Sequence, residues 1–180
     1  MSQPISAFRR RVRQFFRALS ARVTDEELGQ VAYILTPASL ALFRSMSIQD
    51  QRHGLDVCAT LQQTDYTHPD LLAAALLHDV GKAAARIPAW QRAVIVLLHR
   101  FAPRLLARLS QGDLPKGWRR FFVVYARHPE VGAHWAQEAG CSPLTVSLIR
   151  RHQDKLASNP SLTGEEDLLL AALQAADSAN

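Results

Sequence analysis

The chain has 180 residues, 48% of them hydrophobic, with no apolar run long enough to span a bilayer; it suits one domain with a sizeable core. A net charge of +5 and a pI near 9.8 favour anionic partners without choosing among nucleotides, nucleic acid and acidic lipid. Two distant cysteines, Cys58 and Cys141, offer neither a CxxC site nor a disulfide framework, and no secretory signal is read, so the expected compartment is the cytoplasm.

Nearly every segment reads as helix. Ile5, Phe8, Val12, Phe15, Phe16, Leu19 and Val23 recur at helical spacing. The same stretch holds Arg9, Arg10, Arg11, Arg13, Arg17 and Arg22 with no acidic residue, giving a basic amphipathic first helix. It has three readings: packing on the domain with its arginines solvated, lying on acidic lipid, or docking a partner or nucleic acid. Its Phe-rich face is also a candidate dimer surface, and the oligomeric state is otherwise open. Thr24 with Glu27 forms a capping box for a helix over 25–34. Thr36-Pro37 opens one over 37–46, and a further helix over 48–63 carries His53.

Pro69 and Asp70 open a helix over 69–80 that Gly81 closes as a left-handed C-terminal residue. Another spans 88–101, Pro103 breaks or restarts it, and Gln111–Pro115 reads as a loop. Helices over 117–127, 129–139, 143–153 and 164–178 follow, the last with a Thr163/Glu166 capping box. Phe121–Tyr125 is the one stretch that also fits a strand. The expected fold is all-α, a bundle of roughly eight to ten helices.

The chemistry concentrates in His78-Asp79-Val80-Gly81-Lys82. His53 lies 25 residues before His78, His128 49 after Asp79, His152 24 further on, and Asp177 another 25. Taken singly, each histidine reads at least as well as a hydrogen-bonded structural residue. Taken together, imidazoles and carboxylates from several helices are the usual means of holding divalent metal in a helical core. Neutral imidazole and carboxylate suit manganese, iron, cobalt, nickel, zinc or magnesium, and the absence of cysteine from the set argues against a thiolate zinc site.

The order His53…His78-Asp79…Asp177 resembles the signature of the HD-domain superfamily of metal-dependent phosphohydrolases, over roughly residues 48–178. The resemblance implies an HD-like helical bundle in residues 48–180, with residues 1–47 as N-terminal helices packed on it. It also implies a one-metal site of His53, His78, Asp79 and Asp177. His128-Pro129-Glu130 and Ile149-Arg150-Arg151-His152 are similar to segments of two-metal members, which makes His128 and His152 ligands of a second ion bridged by Asp79. For these two, substrate phosphate binding and helix capping stand as alternatives. The Gly-Tyr-Pro element of the cyclic-di-GMP phosphodiesterase branch is missing after His152, where the chain reads Gln153-Asp154-Lys155.

The implied activity is hydrolysis of a nucleotide or other phosphomonoester, or a phosphodiester, by metal-activated water. Asp79 and Lys82 carry the catalysis, and Lys82 and Arg52 contact substrate phosphate; a solvated lysine just past a helix end is the plainer reading of Lys82. The alternative is a non-catalytic HD-type metal- or nucleotide-binding regulatory module. Di-iron oxygenase chemistry uses the same ligand types, and a basic nucleic-acid-binding protein explains the pI but not the histidine spacing. His68, His99 and His134 fall outside the signature and read as structural, and Trp90, Trp118 and Trp135 as core or rim residues.

Overall fold

The structure, a computed structural model, describes residues 22–85, 89–111, 117, 119–154 and 164–180. Residues 1–21, which hold nearly all of the expected basic first helix, lie outside them, as do the side chains of residues 89, 90, 92, 93, 96 and 99. The protein is all-α. The described helices are α1 (Asp25–Ile34), α2 (Pro37–Ser45), α3 (Ile48–Gln63), α4 (Pro69–Leu77), a 3-10 helix (Val80–Ala84), α5 (Ala89–Phe101), α6 (Pro103–Leu109), α7 (Arg120–Glu138), α8 (Pro143–Arg151) and α9 (Glu165–Ala179). None is long and apolar enough to cross a membrane.

Most helix starts follow local side-chain chemistry. Thr24 and Glu27 close the capping box of α1. Thr36, Ser47 and Ser142 each accept a hydrogen bond from a backbone N–H in the first turn of α2, α3 and α8. His68 does the same for α4: its Nδ1 accepts from the Asp70 N–H, so this histidine is a cap.

The centre of the fold is α4. Its sequence Leu71-Leu72-Ala73-Ala74-Ala75-Leu76-Leu77 is apolar on all sides, which suits only a helix enclosed by others. Helices α1, α2, α3, α8 and α9 pack around it. Phe43, Val57, Leu61, Leu148, Ile149, Leu170 and Leu173 are buried in the same cluster. A second, smaller cluster joins Ile95 of α5 and Leu106 of α6 to Phe121, Phe122 and Val124 of α7. Phe121–Tyr125 is helical, and its apolar run is buried largely in this second cluster.

Three expectations are corrected. Helix α4 ends at Leu77 rather than residue 80, and Gly81 is not a left-handed cap but lies within the 3-10 helix. The reason for glycine there is proximity: a Cβ would lie 2.1 Å from the His128 carbonyl oxygen and 2.8 Å from the Gly132 nitrogen. The two helices expected on either side of His128 are one, with Pro129 inside α7. Finally, α9 starts from Gly164 with no side-chain cap. Its Glu166 instead accepts from Ser147 and Arg151 of α8; Thr163 lies outside the described residues.

Close approach also marks Gly54, next to His53, where a Cβ would sit 2.9 Å from the Leu76 carbonyl oxygen. Such contacts set how near α3 and α7 come to the end of α4. Gly81→Ala is expected to destabilise the fold by roughly 3 kcal/mol, because backbone and not a side-chain tip is in the way. Urea denaturation measures this; an unchanged midpoint would show that α7 yields freely.

Candidate metal centre

The C-terminal end of α4 delivers His78 and Asp79 to the middle of the molecule, both buried. Helix α3 supplies His53, α7 supplies His128, the end of α8 supplies His152, and the last turns of α9 supply Asp177. Among the described residues the ligand atoms form two groups, His53–His78–Asp177 and Asp79–His128–His152, each with all atoms within 4.8 Å of one another. The groups adjoin. His78 Nε2 lies 3.6 Å from Asp79 Oδ2 and 3.8 Å from Asp177 Oδ1. Asp79 Oδ1 lies 3.3 Å from His128 Nε2 and 3.9 Å from His152 Nε2.

One device orients three of the imidazoles. His78 Nδ1 is 2.9 Å from the Ala75 carbonyl oxygen, and His152 Nδ1 is 2.7 Å from that of Ile149. Both histidines are the residue just after a helix, and the carbonyls they reach belong to the last turn, where intrahelical N–H donors run out. His128 lies mid-helix, so it needs another vacant carbonyl. Pro129 creates one, because it has no N–H to offer Tyr125 four residues back. His128 Nδ1 donates to that oxygen at 2.6 Å. A carbonyl only accepts, so each Nδ1 carries the proton and each Nε2 turns a lone pair to the site.

These lone pairs meet other acceptors. His128 and His152 oppose their Nε2 atoms at 3.3 Å. The Nε2 of His78 is buried and has no hydrogen-bond partner among the described residues. Two donors relieve the arrangement: Lys82 Nζ lies 2.5 Å from Asp79 Oδ2, and the Gln153 amide nitrogen lies 3.3 Å from His128 Nε2. His53 differs from the other three, since its Nε2 donates to Asp177 Oδ1 at 2.8 Å.

Protonation states agree with this reading. Burial pushes His78 down, and it pushes His152 down to about 3, where repulsion from a protonated His78 or His128 would act in the same direction. Burial alone would raise Asp79, but Lys82, His78 and His128 together hold it well below the usual carboxylate range. Asp177 is likewise opposed by burial and lowered by the bond from His53. Burial disfavours a charged His53, yet the Asp177 bond and the Asp79 charge raise it. Anionic carboxylates facing imidazole lone pairs are the forms that coordinate a cation. The residues present therefore fit a divalent metal: these buried His/Asp groups could hold one.

All six expected ligands come together. Lys82 joins them through Asp79. Arg52 does not: its guanidinium is bonded to Glu27 of α1 and Asp56 of α3. His134 is exposed and sits 3.6 Å from Glu138 on its own helix. Trp135 is half-buried on the main core, whereas His99, Trp90 and Trp118 lie outside the described side chains. An open groove lined by Ala38, Leu42, Ser45, Trp135, Glu138 and Ala139 shares no residue with the cluster.

Two glutamines escaped the sequence reading. Besides Gln153, Gln174 donates from one amide nitrogen to the carbonyl oxygens of His152 and Asp154, at 3.0 and 2.9 Å, and so holds the turn that presents His152. A glutamine one turn before Asp177 was the only available signal.

Neither a family model, nor a curated protein, nor a solved structure matches this chain. The site therefore stands on its own geometry. If Pro129 frees the carbonyl that orients His128, Pro129→Ala should leave α7 intact, since alanine is the better helix former. It should nevertheless weaken metal binding about tenfold or more, because a restored N–H competes for Tyr125. Calorimetric metal titration checks this, and undiminished affinity would contradict the orienting role.

Proposed function

We propose that this protein is a metal-dependent phosphohydrolase of the HD-domain type, acting on a nucleotide or another phosphomonoester, with a phosphodiester as second choice. The observation that carries the proposal is the Asp79 carboxylate: one oxygen faces His128 within its own group, the other faces His78 of the adjoining group and is bonded to Lys82. His53, His78 and Asp177 would hold one divalent ion, His128 and His152 a second, and Asp79 would bridge them. Such ions supply a polarised phosphate oxygen and a water of lowered pKa.

The chain's own residues account for the rest. Buried Nδ1–H bonds keep the imidazoles in the coordinating tautomer. His53 and Asp177 are only half-buried, in contrast to the sealed His78, Asp79, His128 and His152, so solvent and substrate approach from the His53–Asp177 side. Lys82 is also partly exposed. It balances the buried Asp79 charge and presents a cation to an arriving phosphoryl oxygen, where a fixed charge helps most as negative charge develops. Arg52, committed to Glu27 and Asp56, is not assigned a substrate role.

A second reading, a metal-holding regulatory module, draws support from the depth of the site: four of the six ligand residues are nearly sealed. Hydrolysis of p-nitrophenyl phosphate, its bis-ester and nucleoside phosphates by metal-loaded protein separates the two. Hydrolysis is expected for the wild type. Lys82→Ala should keep its metal and lose about a hundredfold in kcat. Full activity in Lys82→Ala would remove the lysine from the mechanism, and metal-loaded wild type inert toward every ester would favour the module.

A further inference from the structure

We propose that the outer face of the α5–α6 pair is a docking surface for an anionic lipid bilayer, on which the protein rests without crossing it. The inner faces of these helices are accounted for: Ile95 and Leu106 are buried against Phe121, Phe122 and Val124, with Val94, Leu98 and Leu109 packed alongside. The outer face keeps large apolar side chains in solvent. Leu97 is 56% exposed, Phe101 76% and Leu105 48%. Leu97 and Phe101 are four residues apart on α5 and so share one side of it.

Arginines accompany this apolar face. Arg100, Arg104 and Arg108 are all exposed, the last two sharing one side of α6. The Arg100 guanidinium lies 5.4 Å from the centroid of the Phe101 ring. Charge is segregated along the chain as well. Residues 86–127 hold nine lysines and arginines against one acidic residue, Asp113. Exposed Leu and Phe flanked by arginine is the composition of a helix that lies at a headgroup boundary, its apolar side chains in the acyl region and its guanidinium groups on lipid phosphate.

Charge selects this occupant. The chain's own N-terminal segment carries six arginines and no acid in residues 1–23, so it repels the face. A second copy of the same face is equally basic. A nucleic acid would satisfy the arginines but leave Leu97, Phe101 and Leu105 in water. The pair is tied to the start of α7, because Arg119 donates to the carbonyl oxygens of Leu109, the last residue of α6, and of Gln111 just after it.

Cosedimentation of the full chain with vesicles tests the proposal, using phosphatidylcholine alone, phosphatidylcholine mixed with phosphatidylserine, and an RNA oligonucleotide in a parallel assay. Wild type should bind the phosphatidylserine vesicles, and bind less as salt rises. The double substitution Leu97→Ser with Phe101→Ser should weaken that binding about tenfold or more. Replacing Arg100, Arg104 and Arg108 together by Gln should weaken it roughly a hundredfold, about fivefold per arginine. All five positions are exposed, and unchanged thermal melting of both variants verifies the fold. No vesicle binding by wild type, or equal binding by both variants, would overturn the proposal; in the latter case the N-terminal arginines would be the contact. Arginine-dependent RNA binding without vesicle binding would overturn it in favour of nucleic acid.

Discussion

A carboxylate buried to 3% exposure among imidazoles is the constraint around which this fold is arranged. Asp79 is unfavourable in that position unless positive charge reaches it. Lys82 supplies one charge, from three residues along the chain. The imidazoles add little charge near neutral pH, because burial pushes His78 and His152 down. What surrounds Asp79 is thus a shell of lone pairs, which a divalent cation satisfies better than any residue in the shell.

Holding those lone pairs inward requires every Nδ1 proton to be placed elsewhere. Two helix ends and one proline-made gap provide the acceptors. This explains why α4 and α8 stop where they do: one more helical turn would supply N–H groups for the carbonyls that His78 and His152 now bond. It also gives Pro129, which a helix interior normally excludes, a use. Glycines complete the arrangement by proximity. Gly81 lets the 3-10 helix touch the backbone of α7 at His128, and Gly54 lets α3 touch α4 beside His53. Ligand geometry and helix packing are one problem here.

Much of this was legible in the residues. Caps at Thr24 and Thr36 and the Pro69-Asp70 start place the beginnings of α1, α2 and α4 correctly, since each signal is local. Regular spacing of His53, His78-Asp79, His128, His152 and Asp177 foretold the cluster, because ligands from separate helices must recur at about one helix-plus-loop interval. What failed was nonlocal. Pro129 reads as a break until the His128 bond to Tyr125 is seen, and Gly81 reads as a cap until α7 is placed against it. Glu166 fits a capping box by spacing, yet α9 starts from Gly164 and Glu166 accepts from Arg151 and Ser147 on α8. The roles of Gln153 and Gln174 depend on atoms whose neighbours only tertiary structure supplies.

The central claim is that the Asp79 cluster is a metal site. Elemental analysis of untagged protein, reconstituted with manganese, iron, cobalt, nickel or zinc and then dialysed, tests it directly against an Asp79→Ala variant shown to be helical by circular dichroism. One or two ions per chain in the wild type, lost in Asp79→Ala, is the result the account predicts. Equal metal content in the two proteins, or none in either after reconstitution, would contradict it.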